Sequence, residues 1–245
     1  MADKSVEELE YGATVVAHKE LAEPIRVASN ILNLASELHA NDRPQRISKA
    51  KAVRLLLLQR IQNDLRCCVI LIERGYGLQA AALAAGIYEG WVTLANITTE
   101  DDARKWLGHD KENKSFGPIY PLTEQALQSV VGDSEQAHQM YRHYQQLCMA
   151  KHLNPIIERS RGYTVLENGG VQFRPGPDAS ELGVAHSWFA LERASRIAYF
   201  ALLTMADGQE TSPELQSKFE SQTTELNALQ AECAKRWPQF YLAHS

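Results

Sequence analysis

Apolar residues recur at spacings of three and four along most of the chain, the period that gathers them on one face of an α-helix. Residues 5–40 carry this pattern with Pro24 inside it. Proline removes a backbone donor and its ring crowds the preceding turn, so a break or kink is expected there. Asn41-Asp42-Arg43-Pro44 reads as a turn, and Ser48 is placed to cap a helix that runs to about Arg74 and stops at Gly75. Val53, Leu57, Ile61, Leu65, Cys68 and Ile72 mark its apolar stripe. A third helix is expected over about 78–98. Thr99 then caps a short one, Glu100 to Leu107, whose three acids suit the positive end of a helix dipole. Residues 108–120 hold Gly, Asn, Ser and Pro and read as a loop. Helical pattern resumes at 121–131 and 134–152, and Asn154-Pro155 opens a short helix to about Ser160.

The period then changes. Tyr163-Thr-Val-Leu, Glu-Asn-Gly-Gly and Val-Gln-Phe-Arg form two short β-like runs around a turn, closed by Arg-Pro-Gly-Pro. Two long helices follow, about 180–206 and 213–236. Leu215, Phe219, Gln222, Leu226, Leu229 and Cys233 make a narrow seam on the last one, suited to a single neighbour such as another subunit. The expected fold class is all-α: a multi-helix up-down bundle with a small β-hairpin insertion near 163–174. It forms one helical domain over 1–245, with the bundle at about 5–160 and 179–237.

Composition narrows the classes. The 245 residues are 44% hydrophobic and 22% charged, which excludes intrinsic disorder, and 14 Gly with 9 Pro exclude a collagen-like or Pro-rich chain. A net charge of −5 does not describe a general nucleic-acid binder. The charge is uneven, however. Arg43, Arg46, Lys49, Lys51, Arg54 and Arg60 fall in a stretch without an acid. Arg43, Arg46, Lys49, Lys51 and Arg54 are therefore candidate phosphate contacts, against the alternative of a solvated helix start with ion pairs to acidic neighbours. Cys67, Cys68, Cys148 and Cys233 form no C-x-x-C, and Cys67 and Cys68 read as small buried hydrophobes of a reduced protein. The polar first residues lack the basic flank and apolar run of a secretory signal. From Gly75 to Thr99 the one charge is Glu89, in a stretch richer in Ala and Gly than in Leu and Ile. That describes a buried core helix rather than a membrane span. A cytoplasmic protein with no membrane partner, no cofactor and no bound metal is expected.

Candidate chemistry starts at Glu89, on the stripe Leu78, Ala82, Ala85, Glu89, Val92, Asn96. A carboxylate buried there needs a partner or a proton. One reading is a structural pair with Arg60, Arg142 or Arg193; the other is a functional pocket. His152 ends the stripe Ala137, Tyr141, Tyr144, Cys148 and is expected to face the bundle. It either bonds a carbonyl at the helix end or joins Tyr144 and Glu89 in a pocket. Glu135-Gln-Ala-His138 supplies one Glu-x-x-His, and no second one completes a two-metal bundle site. No zinc spacing, phosphate loop or G-x-S-x-G appears.

Arg104-Lys-Trp-Leu-Gly-His109 has the spacing R-x4-H. It resembles the ribonuclease motif of HEPN proteins, helical bundles common in bacterial toxin and phage-defence systems, although Lys105 replaces the small polar residue often found after the arginine. The resemblance implies a metal-independent endoribonuclease. His109 would move the proton of a ribose 2′-hydroxyl and Arg104 would stabilise the phosphate, across a dimer cleft. The wider order is similar to a group of uncharacterised bacterial helical proteins distantly related to HEPN bundles. Its parts are Glu73–Tyr76, Ala80–Glu89, Tyr144–Pro155 and Asn168–Pro177, spanning about 50–205. Members often carry an arginine one turn before the central Glu, where this chain has Ala85. The resemblance implies an RNA-, nucleotide- or protein-binding component of a stress or defence system. The alternative is a non-catalytic oligomeric scaffold or protein-interaction module.

Overall fold

Side-chain caps set most of the helix starts. Ser5, Ser48, Thr123, Asp133, Ser180 and Ser212 each accept a backbone N–H from the first turn of the helix that follows, satisfying donors that have no partner inside the helix. The computed structural model describes residues 5–41, 47–108, 121–152, 163–165, 170–173, 176–207 and 211–241. Within them run α1 (Val6–Glu20), α2 (Ala22–Asn41), α3 (Lys49–Glu73), α4 (Gly77–Asn96), α5 (Glu100–Gly108), α6 (Glu124–Val131) and α7 (Ser134–Lys151). After these come β1 (Tyr163–Val165), β2 (Val171–Phe173), α8 (Glu181–Ala206), α9 (Pro213–Arg236) and a 3-10 turn at Pro238–Phe240. The architecture is an all-helical bundle. β1 and β2 pair antiparallel, Tyr163 opposite Phe173 and Val165 opposite Val171. The loop expected at 108–120 and the short helix expected at 154–160 lie outside the described residues, apart from Gly108 at the end of α5.

The break expected at Pro24 falls at Leu21. Pro24 sits in the first turn of α2, where its missing N–H would have had no helical partner. Gly75 ends α3 in the left-handed region, at φ 85°. A Cβ there would come within 2.6 Å of Pro177 Cβ and 2.8 Å of Ala13 Cβ. The same residue therefore turns the chain and lets α1 and the segment before α8 close over it.

α4 is the centre of the bundle, packing most extensively on α3 and α8 and then on α7. Its Ala80, Ala81, Ala84 and Ala85 are buried, as are Ala185, Ala190, Ala194, Ala198 and Ala201 of α8. These small residues let the two backbones approach, and Leu58, Ile61, Leu65 and Ile72 of α3 fill the far side. Each such branched side chain is worth roughly 1.5–3 kcal/mol when taken from water. No helix among the described residues is long and apolar enough to cross a membrane.

Two expectations change. Cys68 is buried, but Cys67 is exposed, because adjacent helical positions point about 100° apart. The α9 seam, Leu215 to Cys233, is buried within this same chain against α2 and α8. An apolar stripe does not reveal which helix covers it, and here the cover is intramolecular.

Candidate functional site

Glu89 leaves the apolar interior sideways. α4 presents it to α7, where Tyr144 Oη donates to Glu89 Oε1 at 2.8 Å and Lys151 Nζ spans both carboxylate oxygens at 2.7 and 3.0 Å. The side chains of Lys151 and Glu89 are 34% and 28% exposed. The cluster is thus neither core nor open surface. Its partner is Lys151, not Arg60, Arg142 or Arg193, which corrects the ion pair expected from sequence. Lys151 lies seven residues beyond Tyr144, two helical turns along the same face. That spacing lets one helix clamp a carboxylate with a phenol and an ammonium.

Burial, with hydrogen bonds to Cys148 and Glu89, pushes the Tyr144 phenol well above its ordinary range. Burial raises the Cys148 thiol as well. Both stay protonated near neutral pH, so Tyr144 is a fixed donor rather than a nucleophile. The Tyr141 and Tyr88 rings lie 6.1 and 6.0 Å from that of Tyr144. Tyr141 is half-buried and extends the aromatic surface along α7. The site offers one carboxylate acceptor, one phenol donor, one ammonium and an aromatic ledge.

His152 is the carboxyl cap of α7, with its backbone N–H on Cys148 O, and its side chain is exposed rather than turned into the bundle. It follows Lys151 directly, at the edge of the cluster. The stripe expected to carry it is rotated: Ala137, Met140, His143 and Leu147 are the buried positions of α7. Arg104 is exposed on α5 and pairs with Asp101 at 3.4 Å. His109, its proposed partner, lies outside the described residues, as do Arg43 and Arg46. Lys49 is exposed and Lys51 half-buried at the start of α3, where Glu100 of α5 accepts the Ala50 N–H at 3.2 Å. Arg54 donates to Thr204 O at 2.6 Å and so braces α8. The basic stretch is therefore divided among a helix start, an acidic neighbour and a helix end.

Comparison of the chain with protein-family models, with characterised proteins and with solved structures returns no match. The site's chemistry has to carry its own interpretation.

A second ionic cluster escaped the sequence reading. Glu192, Arg193 and Arg196 lie inside α8, with Glu192 at 0% exposure and Arg193 at 2%. Glu192 is ion-paired with Arg193, and Arg196 Nε donates to Glu192 Oε1 at 2.9 Å. Arg196 also reaches Leu226 O and Asn227 Oδ1 of α9. Arg193 donates to His143 Nδ1 at 3.0 Å and to Tyr241 Oη at 3.2 Å. An arginine is always a donor, so His143 accepts at Nδ1 as the neutral imidazole. Burial and then Arg193, Arg142 and Arg196 lower its pKa from 6.5 to about 3. Burial works against the Arg193 charge, and Glu192 together with Tyr241 and Tyr88 more than restores it. The available signal was three charges, at spacings of one and three, in the middle of an otherwise uncharged stretch of helix. Among the described residues no three of His, Cys, Asp and Glu are placed to share a metal ion.

Proposed function

We propose that the chain is a HEPN-like helical-bundle module that binds RNA or a free nucleotide in a bacterial stress or defence setting, through the Glu89 cluster. The observation that supports this reading is the partly exposed carboxylate held by Tyr144 and Lys151 near the Tyr141 ring. A nucleotide needs three kinds of contact, and the cluster has a group for each. The exposed part of Tyr141 suits stacking by a base. Glu89 accepts from a base amino group. Lys151 and His152 face the phosphate. Tyr144 holds the Glu89 carboxylate in place, and it acts as a positioning residue.

The reading is one of binding rather than turnover, since Tyr144 and Cys148 are both held in their protonated forms. The resemblance of Arg104 and His109 to the HEPN ribonuclease pair is a separate matter: comparing RNA integrity with the unaltered chain and with His109→Ala tests it. The binding reading is tested with a fluorescein-labelled single-stranded RNA of mixed sequence at low salt, followed by anisotropy. Saturable binding that weakens as salt rises is expected. Lys151→Ala is expected to flatten that salt dependence. Tyr141→Ala is expected to weaken binding about tenfold, the loss of one base stack. No saturable binding at low salt contradicts the proposal. Displacement of the RNA by a mononucleotide identifies the smaller ligand as sufficient.

A further inference from the structure

About two helical turns beyond Glu89, at the carboxyl end of α4, the bundle opens into a cleft of about 960 Å³. Asn96 of α4, Ser129 of α6, Thr204 and Asp207 at the end of α8, and Gln216 and Phe219 of α9 line it. The volume is that of a small-molecule site. Asp207 is the one ionisable group among the described lining residues, and the rest of the polar lining is hydroxyl and amide.

The cleft lies where three helices end. α4, α6 and α8 all direct their carboxyl ends toward it, while α9 begins there and α5 begins two residues after the lining residue Thr98. A carbonyl end carries about half a negative charge and an N–H end about half a positive one, so the three carboxyl ends and two amino ends leave the cleft negative by about half an elementary charge. Elsewhere the chain compensates such ends. α1 has His18 and Lys19 in its last turn, α7 has Lys151, α9 has Lys235 and Arg236, and α3 is followed by Arg74. None of the three helices ending at the cleft has a base in its last turn. The α8 end goes further, with the acid Asp207 as its carboxyl cap. An acid there opposes the dipole and costs stability locally. Arg54, from α3, offsets part of this by donating to Thr204 O. At the α4 end Asn96 Nδ2 donates to Val92 O and in α6 Ser129 Oγ donates to Ala126 O, neutral donors that bring no charge. A site that departs from a rule kept elsewhere in the same molecule is where function is expected to account for the departure.

We infer that this cleft is a binding site for a small organic amine, a flexible polyammonium whose charges meet Asp207 and the helix carbonyl ends and whose chain lies against Phe219 and the hydroxyl groups. The inference does not depend on the Glu89 site and stands or falls separately from it.

Isothermal titration of the full chain with spermidine at physiological salt tests it, with triethylene glycol as a neutral probe of similar length and citrate as an anion. Saturable one-to-one binding of spermidine is expected, with no binding of the other two. Asp207→Asn is expected to weaken it at least tenfold, and Gln216→Lys, which sets a like charge in the cleft from an exposed position on α9, to weaken it as well. Glu232→Gln, an exposed acid near the far end of α9, is expected to leave it unchanged. Absence of saturable spermidine binding overturns the inference. So does equal weakening by Glu232→Gln, which marks diffuse attraction to an acidic surface, and so does citrate or glycol binding of comparable strength. Should Asp207→Asn fail to fold, Gln216→Lys alone decides.

Discussion

Glu89 and Glu192 are the same chemical group in two similar settings, and the molecule uses them differently. Each sits in an apolar helix, each meets a tyrosine hydroxyl, and each is bonded by a cation. Glu192 is fully buried, and arginines of its own helix close around it. Glu89 is partly open, and its lysine is reached from another helix. Arginine has a planar, weakly hydrated fork that suits a buried carboxylate, whereas a lysine ammonium keeps its water and its mobility. The pairing partner thus distinguishes a carboxylate closed inside the bundle from one left partly open, where the proposed nucleotide would bind.

The largest effect is expected from Glu192→Ala, which leaves Arg193 and Arg196 without their carboxylate. Removing one partner of a buried pair costs on the order of 3–5 kcal/mol, to be measured by denaturant unfolding. A loss below about 1 kcal/mol would remove the structural role assigned to Glu192.

Acid titration probes the same cluster. His143 is neutral in the folded chain down to about pH 3, against an unperturbed 6.5. Between those values the unfolded chain binds the extra proton, so this group's contribution is complete above about pH 6.5 and declines as pH falls toward 3. His143→Gln keeps an acceptor for Arg193 and cannot titrate. Its stability is expected to fall less steeply than that of the unaltered chain across that window, and parallel curves would contradict the assignment.

Smaller again is Glu89→Ala. A pair this open is worth no more than about 1 kcal/mol, so unfolding should change little while RNA affinity falls. The smallest effect is expected at Arg104→Ala, where an exposed pair with Asp101 is lost. Its unfolding free energy should stay within about 0.5 kcal/mol of the original, which separates any catalytic role of Arg104 from a structural one.

Local chemistry was legible in the sequence and tertiary rotation was not. Ser48 caps α3, Thr99 Oγ1 accepts the Asp102 N–H, and Gly75 turns left-handed, as their residue types predict. Each of these depends only on neighbours a few residues away. The face of α7 does not. Ala137, Tyr141, Tyr144 and Cys148 are at helical spacing, and so are Ala137, Met140 and Leu147. The small helix α4 beneath them selects the second set for the core. That choice buries His143, leaves His152 outside and places Tyr144 at the margin where it meets Glu89. Glu89 itself was visible as a lone charge. Its partner was not, because Lys151 is an ordinary lysine until α7 is laid against α4. Glu192 was harder still, since a helix segment carrying one acid and two bases resembles a self-paired surface until burial is known.

The most direct measurement of the central claim is the dissociation constant of the labelled single-stranded RNA for Glu89→Gln beside the unaltered chain at the same low salt. Glutamine keeps the size of the side chain and an oxygen for Tyr144, but it loses the charge and one of its acceptors. Binding at least about tenfold weaker, equal to about 1.4 kcal/mol, is expected in a chain that unfolds as before. Equal affinity in the two chains would contradict the central claim.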